Sequence, residues 1–107
     1  MISNTPQPPY YAVIFTSEKT EIDIEGYAKM ASQMETLAVK QDGFLGLESA
    51  RNNVGITVSY WKDLDSIKKW KQNTDHLFAQ EKGKKDWYKV YTTRIAKVEH
   101  QYSFEKL

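Results

Sequence analysis

An α+β domain in the order strand, helix, strand, strand, helix, strand is the fold this sequence predicts, and three observations predict it. The apolar period changes from strand-like to helix-like and back twice along the chain. Asp42-Gly43 and Asn52-Asn53-Val54-Gly55 punctuate the middle as turns. The segment after the last glycine, Gly83, alternates over a long stretch in the manner of a strand.

The elements follow in order. Residues 1–9 form an N-terminal arm, because Pro6, Pro8 and Pro9 lack backbone donors and bias their predecessors towards extended geometry. Tyr10 to Thr16 is a strand with Tyr11, Val13 and Phe15 on one face and Tyr10, Ala12 and Ile14 on the other. Being apolar on both sides, it needs cover on both. From Ile24 to Val39 the residues Tyr27, Met30, Ala31, Met34, Leu37 and Ala38 recur at helical spacing, which makes one amphipathic helix. Phe44 to Arg51 and Gly55 to Trp61 then form an antiparallel hairpin. Asp63 is placed to cap a helix through Ile67 and Trp70, with Asp65 near its start and Lys68, Lys69 and Lys71 near its end to suit the helix dipole. A separate helical stretch runs from Asp75 to about Lys82 and stops at Gly83. The last element, Tyr88 to Phe104, is a strand of about 17 residues, long by ordinary standards, with Val90, Ala96, Val98, Tyr102 and Phe104 on one face.

This order is the ferredoxin-like β-α-β-β-α-β arrangement, with helices on one face of a four-stranded antiparallel sheet. Residues 10–107 make a single domain. The other face stays open and carries aromatic and aliphatic side chains, a large apolar patch for a lone subunit. Pairing two open faces into a dimeric α/β barrel covers it, and the last strand is long enough to reach the neighbour. A homodimer is the expected assembly.

Composition excludes several function classes. Fifteen basic and fourteen acidic side chains leave a net charge of +1, which supplies no broad field for phosphate backbones or anionic lipid. Nucleic acid and membrane are not expected partners. The chain has no cysteine, hence no disulfide, thiolate nucleophile or cysteine metal site. No apolar run approaches the roughly 20 residues that span a bilayer, and the polar start does not read as a signal peptide, so a cytoplasmic location is expected. No Gly-rich dinucleotide fingerprint, phosphate loop or nucleophile elbow is present. His76 and His100, with no carboxylate pair beside them, do not make a metal site.

All three tryptophans and both histidines lie between Gly55 and Phe104, together with Tyr60, Tyr88, Tyr91 and Tyr102. The run Gly43-Phe44-Leu45-Gly46, Ile56 to Trp61, Trp70-Lys71, His76, Gly83-Lys84, Trp87-Tyr88, Tyr91 and Ile95 to Phe104 resembles the antibiotic biosynthesis monooxygenase family of small dimeric α/β-barrel proteins. The resemblance spans nearly the whole chain from Tyr10. It implies either a cofactor-independent oxygenase of phenol- or quinone-type aromatics or, in another branch, a haem-degrading monooxygenase. In the family a tryptophan at the position of Trp70 lines a cavity between sheet and helices. In the haem-degrading branch it is followed ten residues later by a histidine, where this chain has Gln80, and a first-strand asparagine has no counterpart between Tyr10 and Ser17.

Trp70 and His76 are the candidate catalytic residues. His76 has the titration range of a general base, but six residues after Trp70 it is turned about 600° around a helix, onto another side. Tyr60, Phe15, Trp87 and Arg51 are the candidate substrate-binding residues. Arg51 and Arg94 are the only arginines and suit an anionic ligand, although an exposed strand position explains them equally. The expected reading is a monooxygenase without cofactor acting on a small aromatic. Haem binding and a non-enzymatic small-molecule-binding dimer are the alternatives.

Overall fold

The computed structural model describes residues 2–80 and 84–107. Strands β1 (Tyr10–Lys19), β2 (Phe44–Arg51), β3 (Gly55–Trp61) and β4 (Tyr88–Val98) form one antiparallel sheet in the order β2-β3-β1-β4. Helix α1 (Ile24–Ala38) connects β1 to β2, and α2 (Leu64–Gln80) with a short α3 (Lys84–Trp87) connects β3 to β4. The ferredoxin-like order is therefore the one expected.

Local chemistry sets the boundaries. Asp23 caps α1 by accepting the Gly26 N–H at 3.2 Å, and Asp63 does the same for α2 through the Ser66 N–H at 2.8 Å. The Ser66 hydroxyl and then its backbone N–H hold the Asp63 carboxyl below the usual carboxylate range. Gly43 turns the chain from α1 into β2 at a φ of 84°, a region glycine enters freely, and any Cβ there would overlap Ser66.

Register assigns the two faces. Tyr11, Val13, Phe15 and Ser17 lie opposite Trp61, Ser59, Thr57 and Gly55, and this face carries the helices. Ala12, Ile14 and Thr16 lie opposite Tyr60, Val58 and Ile56 on the other. Trp61, the largest fully buried side chain, stands at the centre of the helix-side core with Ile67, Met30 and Ala38.

Three expectations are corrected. β4 ends at Val98 and residues 99–107 have no regular structure, so the strand does not reach Phe104. A strand lasts only as long as its partner: Val98 pairs with Tyr10, the first residue of β1, and the prolines before Tyr10 supply no ladder donor. The side chains of Tyr102 and Phe104 are accordingly 98% and 88% exposed. α2 is one 17-residue helix rather than two pieces, because Asp75 pairs with Lys71 one turn back at 2.9 Å instead of opening a new helix. β1 runs on to Lys19, three residues past its expected end. The break expected at Lys82-Gly83 lies outside the described residues. No described helix is long and apolar enough to cross a membrane.

Candidate functional site

The helix stripe and the sheet do not close fully on each other. Ile67, Trp70, Lys71 and Thr74 recur at the spacing that puts them on one face of α2, and Tyr27, Met30, Ala31 and Met34 do the same on α1. Between these stripes and the sheet lies a cavity of about 520 Å³. That is within the usual range for a small-molecule site, roughly 300–1,000 Å³.

One end of the cavity is built on tryptophan. The Trp70 ring stacks on Trp61 with centroids 5.6 Å apart and planes inclined by 27°. Trp61 is in turn fixed by Phe44 at its edge, 5.6 Å away, and by its indole N–H, which donates to the Ser59 hydroxyl at 2.8 Å. Trp61 is therefore the anchor and Trp70, only partly covered, the cavity wall.

The other end is an aromatic box. Phe15 meets Tyr88 and Tyr91 with centroids 5.7 and 5.2 Å apart, and Tyr27 meets Tyr88 edge-on at 5.7 Å. Burial, and after it Tyr27, pushes the Tyr88 phenol far above the usual tyrosine range, so this hydroxyl stays protonated. Arg51 closes the box from the sheet side. Its Nη2 donates to the buried Ser17 hydroxyl at 2.6 Å and to the Tyr27 hydroxyl at 3.3 Å. Lys19 lies over the Tyr27 ring, 4.7 Å from its centroid. Glu35 and Asp75 are the carboxylates of the lining, with Asp75 bound to Lys71.

Of the six residues singled out in the sequence, the cavity gathers Phe15, Arg51 and Trp70. It does not gather Tyr60, Trp87 or His76. Tyr60 points to the open face, where its hydroxyl donates to Glu48 at 2.6 Å. Trp87, 2% exposed, packs edge-on against Tyr27 with its indole N–H on Asp23 at 3.1 Å, tying the end of α3 to the start of α1. His76 lies on the exposed side of α2, since the helix runs through without the kink that would turn it inward. The cavity also gathers Tyr27, Tyr91, Glu35 and Thr74, which the sequence reading did not single out for a site. Thr74 follows Trp70 by one turn, a signal the spacing carried.

Among the described residues no group of three His, Cys, Asp or Glu side chains is placed to hold a metal. Among the described residues the lining contains no histidine to serve as an axial haem ligand.

No family model matches the sequence. The chain is 50% identical over 107 residues to the uncharacterized protein YqjZ of Bacillus subtilis, with 98% of this chain and 93% of that one covered. It is 26% identical over 92 residues to the jasmonate monooxygenase ABM of Pyricularia oryzae, covering 82% of this chain and 43% of that protein. A solved structure from Nitrosomonas europaea, assigned by its name to the antibiotic biosynthesis monooxygenases, superimposes with a TM-score of 0.70 over 89% of this chain and 95% of the other. At 12% identity that last likeness concerns the fold. The chain belongs to the family of YqjZ, and its fold is the one shared with structures named as antibiotic biosynthesis monooxygenases.

Proposed function

We propose that this protein is a cofactor-independent monooxygenase of a small phenol- or hydroquinone-type aromatic, bound in the cavity between sheet and helices. The observation that carries the reading is the cavity itself: about 520 Å³, walled by Trp70 at one end and by an aromatic box at the other. Flat aromatic walls bind a flat, electron-rich ring. The substrate gives up its phenolic proton to a lining carboxylate, Glu35 or Asp75, and the anion reduces oxygen directly. One oxygen atom enters the ring, the other leaves as water, and the substrate supplies all the electrons, so a phenol becomes a quinone. In this reading the Trp70 indole N–H serves as the donor that steadies the developing negative charge on oxygen.

Oxygen uptake with a panel of phenols and hydroquinones tests this. The wild type consumes oxygen with at least one of them, and Trp70→Phe, which keeps the ring and removes the N–H, loses that consumption. A panel that draws no oxygen overturns the proposal.

We also propose that the protein works as a homodimer joined through the open face, where Ile56 and Val90 stand exposed, with the exposed tail residues Tyr102 and Phe104 reaching the partner. Sedimentation at micromolar concentration is expected to give a dimer. A stable monomer would rule it out.

A further inference from the structure

We infer that the box end of the cavity is an anion subsite, in which Arg51 selects aromatic substrates that carry a carboxylate. The inference rests on the cavity being the substrate site. Arg51 lines the cavity, and among the described residues no carboxylate lies within ion-pair distance of it, whereas the ion pairs that do form use lysines, Lys69 with Asp65 and Lys71 with Asp75. Both Nη2 contacts go to neutral hydroxyls, Ser17 and Tyr27, which fix the guanidinium and leave its charge uncompensated. A guanidinium has five N–H donors, so those on Nε and Nη1 are not needed for these two anchors.

The surroundings favour an anion there. Lys19 is a second positive charge at the same ring, 4.7 Å from the Tyr27 centroid, while Arg51 lies 5.8 Å from it. Phe15, Tyr88 and Tyr91 beside it offer a ring-sized apolar wall. A ring against that wall with a carboxylate on Arg51 points its far edge along the cavity towards Trp70. The chain also makes room for the guanidinium: Arg51 pairs across the hairpin with Gly55, where a Cβ would overlap it.

Calorimetric titration with 6-hydroxy-2-naphthoate and with its methyl ester tests the subsite without requiring any turnover. The pair keeps the ring and the phenol and differs in the charge. The wild type is expected to bind the acid about tenfold tighter or more, the worth of one charge-assisted contact. Arg51→Gln erases that preference by weakening the acid and leaving the ester unchanged, and Arg51→Lys, which keeps the charge but not the planar fork, restores part of it. Thermal unfolding of each variant confirms that it is folded. Equal affinity for acid and ester in the wild type, or a preference that survives Arg51→Gln, overturns the subsite while the cavity stands as a binding site. Binding of neither compound overturns both.

Discussion

The two faces of the sheet carry the same kinds of residue and use them in opposite ways. On the open face Tyr10 and Tyr60 meet edge-on at 5.8 Å, and their hydroxyls are spent inside the protein. Tyr60 donates to Glu48, which also takes the Ser3 N–H at 2.9 Å, and Tyr10 bonds to Thr5 and Gln101. The arm and the start of the tail are thereby strapped across one end of that face. On the helix face Tyr27, Tyr88, Tyr91 and Trp70 line a cavity, beside a guanidinium bonded to the Ser17 and Tyr27 hydroxyls. Aromatics whose polar atoms close on one another build structure; aromatics beside an uncompensated charge and a cavity build a site. Residue type alone does not separate these two uses.

The tryptophan pair breaks or sharpens that contrast most strongly. Trp61, 0% exposed, is anchor, and Trp70 is wall. Trp61→Ala is expected to cost about 3–5 kcal/mol, the usual loss for a large aromatic removed from a packed core, and it also strips the Ser59 hydroxyl of its donor. Trp70→Ala is expected to cost about half as much or less, since part of the ring is already in solvent, while ligand affinity falls. Urea unfolding of the two variants reads this directly. If Trp70→Ala destabilises as much as Trp61→Ala, Trp70 is core and the wall assignment fails.

Tyr60→Phe is the next largest effect and tests the strapped face. It removes the hydrogen bond to Glu48 and is expected to cost about 1–2 kcal/mol without changing affinity at the cavity. The pH dependence has a definite sign on each side. The Tyr60 hydroxyl, and after it Ser3, hold the Glu48 carboxyl below its ordinary value, so this stabilisation is present above pH 4.5 and is lost as pH falls through the lower folded value. Burial first, then Glu48, pushes the Tyr60 phenol from 10.0 up to about 12, so the folded state keeps its proton longer and stability is lost as pH rises through that interval. In Tyr60→Phe both slopes are expected to flatten. Unfolding midpoints measured at acid and alkaline pH check it, and unchanged slopes would dissociate Tyr60 from the strap.

The same contrast explains what was legible in the sequence. The hairpin was legible to the residue, Phe44–Arg51 and Gly55–Trp61, because its turn signals and alternation are local. The end of β4 was not, because alternation continues past Val98 to Phe104 and only the length of β1 decides where pairing stops. Phe15, Arg51 and Trp70, singled out from type and spacing, line the cavity. Tyr60 and Trp87 lie away from the cavity, yet an aromatic satisfied by Glu48 or Asp23 reads in sequence like one facing open volume. Tyr27 was hidden for the converse reason. Its helical period assigns it to the core stripe, and only the distance to Arg51 shows that its hydroxyl serves the cavity.

Gly55→Ala is the smallest expected change in stability and the sharpest discriminator between the two uses of a polar side chain. Gly55 is buried, pairs with Arg51 across β2 and β3 and has no positive φ, so alanine fits its backbone. The atoms nearest the new methyl group belong to the guanidinium, the far end of a flexible side chain, which swings out rather than forcing the strands apart. Stability is expected to change by less than about 1 kcal/mol, the lost Ser17 contact being partly replaced by water. Arg51 meanwhile leaves Ser17 and Tyr27 with its charge intact but out of register with the box. The acid-over-ester preference is therefore expected to fall in Gly55→Ala as it does in Arg51→Gln, although the variant keeps every charge of the wild type. A preference that persists would mean that general positive potential, from Lys19 and a displaced Arg51 together, selects the anion, and that the fixed position of the guanidinium is not what the glycine is there to secure.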